Sequence, residues 1–438
     1  RHPEAPARGG PIHLAETQVT MRVSRPCAFL GFFVLLGVAH SSQGSRPSNQ
    51  FTGSVGQARF TSPGVHSVQV GIELTLGGHI FIQGQIGQSR PLWFILDSGG
   101  MNTTVSARIA KELSLQSSAV GTVTGSGEHA EQIRLIDHVV IRLPEIEFSR
   151  RNVAAIPLES LEASFGRPID GILGYDFISQ FAVEIEYARK VVRFNDPAAY
   201  SYQGPGSEFP IKWAAGQPAV DITIQVAGRP PSTALFHLDT GAGSTIEFYS
   251  PFVMSTKLLE ALPRKVEVAG RGVGGDSSSY YGRIASMSIG DFTVRNPVAA
   301  LSGAQAGSMS SGAAAGLIGG RFFRRFTLIF DQARGRIILE PGEGLNAPDL
   351  YDGTGARILA EGADLKSFTV FQMAKGAPAF QDGLRVGDVI TAADGVPSSN
   401  MTIDDLRGRL LQGQPDLRVT VRRDGKTVEL KLRPRELI

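Results

Sequence analysis

The sequence is poor in the residues that form cross-links and metal sites. Its 438 residues include a single cysteine, Cys27, so no disulfide can form within the chain. We expect Cys27 to be lost with an N-terminal signal, which excludes thiolate chemistry from the mature protein. The 8 histidines are scattered, without a His-Glu-x-x-His or similar cluster. We therefore expect neither a metal ion nor another cofactor.

A strong excess of charge and a membrane-spanning run are missing too. The formal net charge of +2 gives no reason to expect nucleic-acid binding. The apolar run at residues 28–39 is shorter than the ~20 residues that a membrane-spanning helix needs. Hydrophobic residues make up 42% of the chain and charged residues 19%, a balance typical of folded domains. The length suggests two or three such domains.

The N-terminal region predicts an exported protein. From Met21 the order is basic residues, the apolar run and then small polar residues, which is typical of a secretory signal. We assign residues 1–20 to an extension upstream of the true start, 21–44 to a signal peptide and 45–66 to a linker rich in Ser, Gly and Gln. Membrane contact is expected only through an uncleaved signal, and the protein is otherwise expected in the periplasm or outside the cell.

What the sequence does contain is a repeated motif. Residues 94–100 read Phe-Ile-Leu-Asp-Ser-Gly-Gly, and residues 236–242 read Phe-His-Leu-Asp-Thr-Gly-Ala. In both, an apolar run typical of a buried strand leads to an aspartate, Asp97 or Asp239, followed by a hydroxyl residue and glycine. One such turn is common, but two that end equivalent apolar runs indicate a shared role for the two carboxylates.

The surrounding sequence repeats as well. Residues 170–177, Asp-Gly-Ile-Leu-Gly-Tyr-Asp-Phe, correspond to residues 315–322, Ala-Gly-Leu-Ile-Gly-Gly-Arg-Phe. The second glycine of this segment follows the motif aspartate by 77 residues in the first copy and by 80 in the second. The chain therefore holds two diverged copies of one all-β unit.

The paired motif resembles the aspartic peptidases. The short flap regions and the Asp-Gly-Ile-Leu-Gly segment are similar to retropepsin-like bacterial proteins, here with two units in tandem. The resemblance covers residues 67–345 and implies an all-β, bilobal fold with lobe one at 67–197 and lobe two at 198–345. It implies that Asp97 and Asp239 are the catalytic residues. The residues implied to support the two catalytic loops are Ser98, Gly99, Thr240 and Gly241.

A glycine-rich hairpin follows each motif and, by resemblance, would be the flap that covers the substrate. The predicted flap tips are Gly125, Ser126 and Gly127 in lobe one, and Gly272, Val273 and Gly274 in lobe two. No tyrosine lies between Asp97 and Tyr175, whereas pepsin-type enzymes usually place one on the flap, so the retropepsin-like interpretation is favoured. Residues 270–275 also match Gly-x-Gly-x-x-Gly, but no helix-forming sequence follows, so a nucleotide site is not expected.

Two other polar residues near the motifs are predicted to be structural. His237 shares a strand face with Asp239, and we expect a histidine that its neighbours satisfy rather than a catalytic His-Asp pair. Asp170 has no acidic counterpart in the second copy, where Ala315 stands, so a turn or structural role is favoured. The small, flexible residues at 302–316 predict a surface loop.

After residue 341 the pattern changes to a small α+β unit. Residues 376–390 resemble the helix, Gly-Leu-x-x-Gly-Asp turn and strand of a PDZ domain of the bacterial protease-associated type. We assign that domain to residues 346–436 and expect a linker before it at 341–351. By resemblance, the domain would hold the terminal carboxylate of a protein tail that adds as a strand. The residues implied for this site are Gly355, Ala356, Arg357, Ile358, Leu406 and Leu410.

Two interpretations of the apolar face of this PDZ helix stay open. Thr402 and Asp405 predict its N-terminal cap, and Leu406 and Leu410 share its apolar face. The two leucines either contact a bound peptide or serve the domain core alone.

The sequence thus predicts an exported aspartic endopeptidase that acts on peptides or proteins, as a monomer whose lobes pair within one chain. Two carboxylates held close together share one proton, an arrangement that suits hydrolysis of an amide by an activated water. The alternative is a non-catalytic peptide-binding scaffold of the envelope with degenerate lobes. A two-carboxylate glycosidase is a third hypothesis, but it gives no reason for paired Asp-Ser/Thr-Gly turns.

Overall fold

The computed structural model describes residues 56–125, 127, 129–272 and 275–438. The predicted extension at 1–20 and the signal peptide at 21–44 therefore lie outside the described residues. Within the described ranges, no helix is both long enough and apolar enough to cross a membrane.

Lobe one is built from β-strands, some of which alternate buried and exposed side chains, as at residues 82–86, where exposed Gln83 and Gln85 separate buried neighbours. Its strands are β1 (Gln57–Phe60), β2 (Ser67–Gly71), β3 (Glu73–Leu74), β4 (Ile80–Ile86), β5 (Leu92–Leu96), β6 (Thr104–Ser106), β7 (Ser117–Thr124), β8 (Ala130–Leu143), β9 (Ile146–Ile156), β10 (Gly171–Leu173), β11 (Ala182–Glu186) and β12 (Val191–Asn195). Its helices are α1 (Ala107–Glu112), α2 (Glu159–Phe165) and α3 (Tyr175–Ile178). The main sheet has the order β1-β9-β6-β10-β5-β4-β8-β7, with β3 beside β4.

Lobe two repeats this plan. Its strands are β13 (Ser207–Pro210), β14 (Lys212–Ala214), β15 (Gln217–Gln225), β16 (Ser232–Leu238), β17 (Ile246–Phe248), β18 (Lys265–Gly272), β19 (Gly275–Arg283), β20 (Ser286–Ile289), β21 (Phe292–Arg295), β22 (Val298–Ser302), β23 (Gly316–Ile318), β24 (Phe326–Asp331) and β25 (Arg336–Pro341). The helices are α4 (Ser250–Ser255), α5 (Leu258–Ala261) and α6 (Gly320–Phe323), with 3-10 turns at Ser308–Ser310 and Gln332–Arg334. The sheet order is β18-β19-β22-β17-β23-β16-β15-β20-β21, with β14 beside β15.

The duplication is visible in matching strand pairs. In lobe one β10 pairs in parallel with β5 and antiparallel with β6, and in lobe two β23 pairs in parallel with β16 and antiparallel with β17. The registers agree too, because Gly171 lies opposite Phe94 and Gly316 lies opposite Phe236. The prediction of two copies of one all-β unit is confirmed.

A third sheet joins the lobes. Its order is β13-β25-β24-β11-β12-β2, and β11 of lobe one pairs antiparallel with β24 of lobe two along its whole length. The largest apolar core runs beneath it and contains residues of both lobes, including Phe194 and Phe330. The two lobes are therefore one continuous body, which fixes the two motif loops relative to each other.

The C-terminal unit is the predicted small α+β domain. It contains β26 (Ala356–Glu361), β27 (Ser367–Met373), β28 (Val389–Ala393), β29 (Val396–Pro397), β30 (Leu417–Arg423), β31 (Lys426–Leu432), α7 (Pro378–Gln381), a 3-10 turn at Ser398–Asn400 and α8 (Ile403–Arg409). The sheet order is β26-β27-β28-β30-β31, with β29 beside β28. Thr402 caps α8 in a capping box with Asp405, as its sequence predicts.

Part of the linker prediction at 45–66 is wrong. Residues 57–60 form β1, which pairs with β9 at the edge of the lobe-one sheet. Phe60 packs edge-to-face on Phe181, with ring centroids 5.6 Å apart. A composition rich in Ser, Gly and Gln gives no hint of this pairing, because the partner strand lies far away in sequence.

Two other segments are also more ordered than their composition suggests. The predicted linker at 341–351 is fixed to lobe two, where Asp349 accepts hydrogen bonds from Thr245 Oγ1 at 2.5 Å and Val298 N at 2.9 Å. The predicted surface loop at 302–316 buries Met309 in a small core of lobe two. Its small side chains let the backbone pack closely, so low hydrophobicity is a poor guide to exposure here.

Candidate active site

Each motif aspartate lies at the end of the central strand of its lobe. β5 ends at Leu96, and Asp97 N then donates a hydrogen bond to Leu173 O at 2.9 Å. β16 ends at Leu238, and Asp239 N donates to Ile318 O at 3.0 Å. A backbone hydrogen bond to the neighbouring strand thus fixes each aspartate at the same position in its lobe.

The hydroxyl residues after the aspartates bind the two loops together. Ser98 Oγ donates to Leu238 O at 2.9 Å, and Thr240 Oγ1 donates to Leu96 O at 2.7 Å. In return, Ser98 N donates to Thr240 Oγ1 and Thr240 N donates to Ser98 Oγ, both at 3.0 Å. Four reciprocal hydrogen bonds therefore cross between the lobes at the motif, all of them buried.

The glycines of the motif leave room for the opposite carboxylate. A Cβ atom on Gly99 would lie 2.4 Å from Cγ of Asp239, and a Cβ atom on Gly241 would lie 2.4 Å from Cγ of Asp97. Such distances are far inside van der Waals contact, so only glycine fits at either position. The structure thus brings together all six residues predicted for the catalytic loops.

Burial raises the pKa of both carboxyl groups, since Asp97 is 2% exposed and Asp239 is 0% exposed. Asp97 Oδ1 accepts hydrogen bonds from Gly99 N and Gly100 N, both at 2.9 Å, which favour its ionised form. Asp239 Oδ1 accepts one, from Gly241 N at 2.8 Å. The pKa of Asp239 is raised further, well above its ordinary value, by the negative charge of Asp97. These contacts favour the ionised form at Asp97 and the protonated form at Asp239.

Two residues that the sequence reasoning missed support this centre. Gln217 is buried and its Nε2 donates to Gly99 O at 2.6 Å, which fixes the lobe-one loop from lobe two. Glu247, 1% exposed on β17, lies near Asp239, and burial raises its pKa to about 8. The available signal for Glu247 was a lone acidic residue inside the apolar run Ile246–Phe248.

The two polar residues predicted to be structural have structural partners. His237 is buried, its Nδ1 lies 2.8 Å from Tyr249 Oη and its Nε2 lies 3.1 Å from Ala214 O. Burial lowers its pKa to about 4, so the ring is neutral near pH 7. Asp170 accepts hydrogen bonds from Arg90 and Arg108 in lobe one.

The predicted flaps are hairpins. β7 and β8 form the lobe-one hairpin, with Gly125 and Gly127 near its tip, and β18 and β19 form the lobe-two hairpin, in which Gly272 lies opposite Gly275. Ser126, Val273 and Gly274 lie outside the described residues.

The lobe-one flap tip touches lobe two. Gly125 O accepts a hydrogen bond from Ser308 N at 3.0 Å. Gly307, at φ +75°, is so close to the flap that a Cβ atom there would lie 2.3 Å from Gly127 O. The tip of the lobe-one hairpin therefore packs against lobe two in this conformation.

The residues predicted for peptide binding lie in the C-terminal domain, away from the two motif aspartates. Gly355 has φ +71° directly before β26, and the Arg357 guanidinium lies beside the paired rings of Tyr281 and Tyr351, 5.7 and 5.6 Å from their centroids. The members that are buried in the core of this domain are Ala356, Ile358, Leu406 and Leu410.

The chain has no evident metal centre in its described part. Within those ranges, no group of three or more His, Cys, Asp or Glu side chains lies close enough to hold a metal ion.

Comparison with known families agrees with this architecture. Residues 82–177 match the family described as aspartyl protease, and residues 369–423 match the family described as PDZ domain. No curated protein matches the chain. The first match contains Asp97 and the lobe-one flap. Lobe two lies outside this match and is related to lobe one by the internal duplication described above. The chain therefore combines an aspartyl protease domain of the retropepsin-like type with a C-terminal PDZ domain.

Proposed function

We propose that the protein is an aspartic endopeptidase in which Asp97 and Asp239 form one catalytic unit across the two lobes. The observation that carries the proposal is the reciprocal hydrogen bonding of Ser98 and Thr240, which holds two buried aspartates face to face. A fold has no evident structural need for two buried carboxyl groups that lie this close together, since burial of each one is costly. Perturbed carboxyl groups of this kind concentrate at catalytic sites.

In the first step, the ionised Asp97 removes a proton from a water molecule as the water oxygen attacks the peptide carbonyl carbon. The proton on Asp239 passes to the carbonyl oxygen. The product is a neutral tetrahedral diol, with Asp97 protonated and Asp239 ionised.

In the second step, the diol collapses and the carbon–nitrogen bond breaks. Asp97 gives its proton to the leaving nitrogen, and Asp239 takes a proton from a diol hydroxyl. Both carboxyl groups return to their starting forms, so the cycle needs no cofactor and forms no covalent intermediate with the protein.

The flaps define how substrate enters. The contact between Gly125 and Ser308 closes the lobe-one flap over the loops, so a peptide requires this contact to open. After closure the substrate lies extended between the lobes, with water excluded from the carboxylates. The PDZ domain is proposed to bind a protein tail and so to add a second point of attachment for a substrate or partner.

Cleavage of a peptide library, followed by mass spectrometry, tests the proposal. Wild type is expected to cut internal peptide bonds, and Asp239→Asn is expected to lose this cleavage while keeping its fold. Asp221→Asn is the matched control, because Asp221 is exposed on β15 of the same lobe and pairs with Lys212.

The second candidate, a non-catalytic peptide-binding scaffold, makes the opposite forecast. It predicts that wild type binds peptides but cleaves none of them at any pH between about 3 and 8. This is roughly the range over which buried carboxyl groups titrate. The presence of both aspartates with their hydroxyl and glycine neighbours favours the enzyme.

We also propose that the protein is exported, on the basis of the signal-like order from Met21 to Gly44. N-terminal sequencing of secreted or periplasmic material is expected to start between about Ser42 and Phe51. A cytoplasmic protein that begins upstream of Met21 would refute this localisation.

A further inference from the structure

The PDZ sheet has an unpaired edge that faces the protease body. β26 pairs with β27 on one side, and no strand of the described residues pairs with its other side. Helix α8 lies along that edge, where Arg407 Nη2 donates to Ile358 O at 2.8 Å. We call the space between β26 and α8 the groove. A peptide that binds as a strand beside α8, as in PDZ domains, would pair with this edge.

The end of α2, from lobe one, lies in the groove. Arg407 Nη1 donates to Ser164 O at 2.7 Å, so one guanidinium bridges lobe one and the strand edge. Gly166, which ends α2 at φ +63°, is wedged between the two walls of the groove. A Cβ atom on it would lie 2.7 Å from Cγ2 of Ile403 on the helix and 3.4 Å from Cβ of Ala360 on the strand.

A second contact fixes the start of α8 to lobe one. Asp404 Oδ2 accepts a hydrogen bond from Leu76 N at 2.7 Å. The body therefore holds α8 near both of its ends, through Asp404 and Arg407. Ile403 and Ala360 are both fully buried by this packing, so no room is left at this part of the edge for another strand.

One end of the groove remains open as a cavity of about 80 Å³. Arg357 and Arg407 of the PDZ domain and Arg321 of lobe two line it, with Asp352 as an acidic neighbour. Asp352 already accepts hydrogen bonds from Thr354 N at 2.6 Å and Gly355 N at 2.7 Å. The cavity is thus rich in cationic groups and large enough for a carboxylate.

We propose that the end of α2 is an internal occupant of the PDZ groove, so that lobe one competes with a peptide that carries a free C-terminal carboxylate. This inference rests on the proposed binding of protein tails by the PDZ domain. The arginine-lined cavity provides the attraction for the carboxylate, and the peptide strand then takes the place of Ser164 and Gly166. Binding of a tail therefore separates α8 from lobe one.

The consequence reaches the catalytic lobes. α2 also contacts β18 of the lobe-two flap hairpin, and Tyr281 on β19 packs on Tyr351 with ring centroids 5.4 Å apart. A tail that separates the PDZ domain from the body removes its support from this hairpin. Occupancy of the groove is thereby linked to the flap of lobe two.

A disulfide lock tests the competition in the full-length chain. Cysteines are placed by Gly166→Cys and Ala360→Cys in a Cys27→Ser background, because the 3.4 Å between their Cβ positions is close to the ~3.5–4.5 Å of natural disulfides. The probe is a fluorescein-labelled decapeptide library with apolar C-terminal residues and free carboxylates, with the amidated peptides as controls. Peptide affinity is measured by anisotropy before and after reduction. The reduced form carries the same substitutions, so it controls for backbone strain at Gly166.

The oxidised protein is expected to bind the peptides at least about ten-fold more weakly than the same protein after reduction, since the lock keeps α2 in the groove. Asp404→Ala removes one docking contact and is expected to bind them several-fold more tightly than wild type. Equal affinity of the oxidised and reduced forms would overturn the proposal. Unchanged or weaker binding by Asp404→Ala would overturn it too.

Failure of this inference can be told apart from failure of the proposed protease activity. If no form of the protein binds any peptide at the groove, competition for the groove is overturned. Cleavage of internal peptide bonds, measured in the same samples, reports on Asp97 and Asp239 independently.

Discussion

Glu247 shows how a single buried carboxyl group makes the stability of the protein depend on pH. It lies on β17 beside the candidate catalytic loop of lobe two, and burial raises its pKa to about 8, well above the 4.5 of an exposed glutamate. The folded state therefore keeps its proton over a pH range in which the unfolded chain releases it. Stability from this group is complete below pH 4.5 and is lost progressively as the pH rises to about 8.

Glu247→Gln is expected to remove this pH dependence, because glutamine keeps the shape and carries no titrating proton. Between pH 5 and 7.5 the unfolding free energy of wild type should fall by about 1.4 kcal/mol per pH unit more steeply than that of the variant. Denaturant unfolding at several pH values measures the difference. Glu267→Gln, which removes a solvent-exposed carboxyl group on β18, is the control. Parallel curves for wild type and Glu247→Gln would show that Glu247 is ionised in the folded protein.

At the scale of single residues, the sequence predicted those that a short local motif identifies. Asp97 and Asp239 each stand in a motif whose meaning is readable within seven residues, and the structure brings their loops together. Gln217 and Glu247 were missed because their positions depend on long-range pairing of β15 and β17 with other strands. No pattern near Gln217 indicates that its amide reaches Gly99, 118 residues away.

At the scale of elements, we propose that the lobe-one flap controls access to the site. Its tip meets the loop at 302–316, where Gly307 at φ +75° approaches Gly127 O. The hairpin itself was predictable from glycine-rich sequence between strand-like runs. The loop was misjudged because small residues carry no hydrophobic period, and only the tertiary structure shows that it receives the flap.

Gly307→Ala is expected to lower kcat/KM by about ten-fold or more, because the new methyl group clashes with Gly127 O and displaces the closed flap. The matched control is Gly312→Ala in the same loop, where an added Cβ atom meets nothing within 4 Å. Steady-state cleavage of one library peptide by the two variants and wild type measures the effect. Equal loss in both variants would mean that general disturbance of the loop, not the flap contact, lowers activity.

At the scale of the whole molecule, the interlobe sheet makes the site complete within one chain. β11 and β24 pair over five residue positions, from Ala182 opposite Asp331 to Glu186 opposite Thr327. Both aspartates therefore come from the same polypeptide. The duplicated motif predicted two lobes, but it could not predict whether they pair within or between chains, since both arrangements satisfy the same repeat.

Intrachain pairing has a direct consequence for enzyme kinetics. Activity per mole of protein is expected to stay constant over a hundred-fold dilution, because no second copy is needed to supply an aspartate. Progress curves at nanomolar and micromolar enzyme, with sedimentation of the same samples, measure this. A fall in specific activity on dilution, together with dissociation, would indicate that the active form is a dimer.

The placement of the PDZ domain was beyond the reach of sequence. Asp404 and Leu76 are 328 residues apart, and neither stands in a motif that identifies the other. The PDZ fold itself was predictable from its glycine turn and helix cap, which are local signals. The docking of that fold on lobe one depends on complementary shapes at Gly166 and on backbone hydrogen-bonding groups. Neither can be recognised from the amino-acid types in the sequence.

The central claim is that Asp97 and Asp239 act as one unit that shares a proton. The measurement that tests it most directly is kcat for wild type, Asp97→Asn, Asp239→Asn and the double variant, across pH. Wild-type activity should be bell-shaped with an optimum on the acidic side of neutral, since it needs Asp97 ionised and Asp239 protonated. Each single substitution should abolish cleavage, and the double variant should be scarcely worse than either one. Substantial cleavage by either single variant, or losses that multiply in the double variant, would contradict the account.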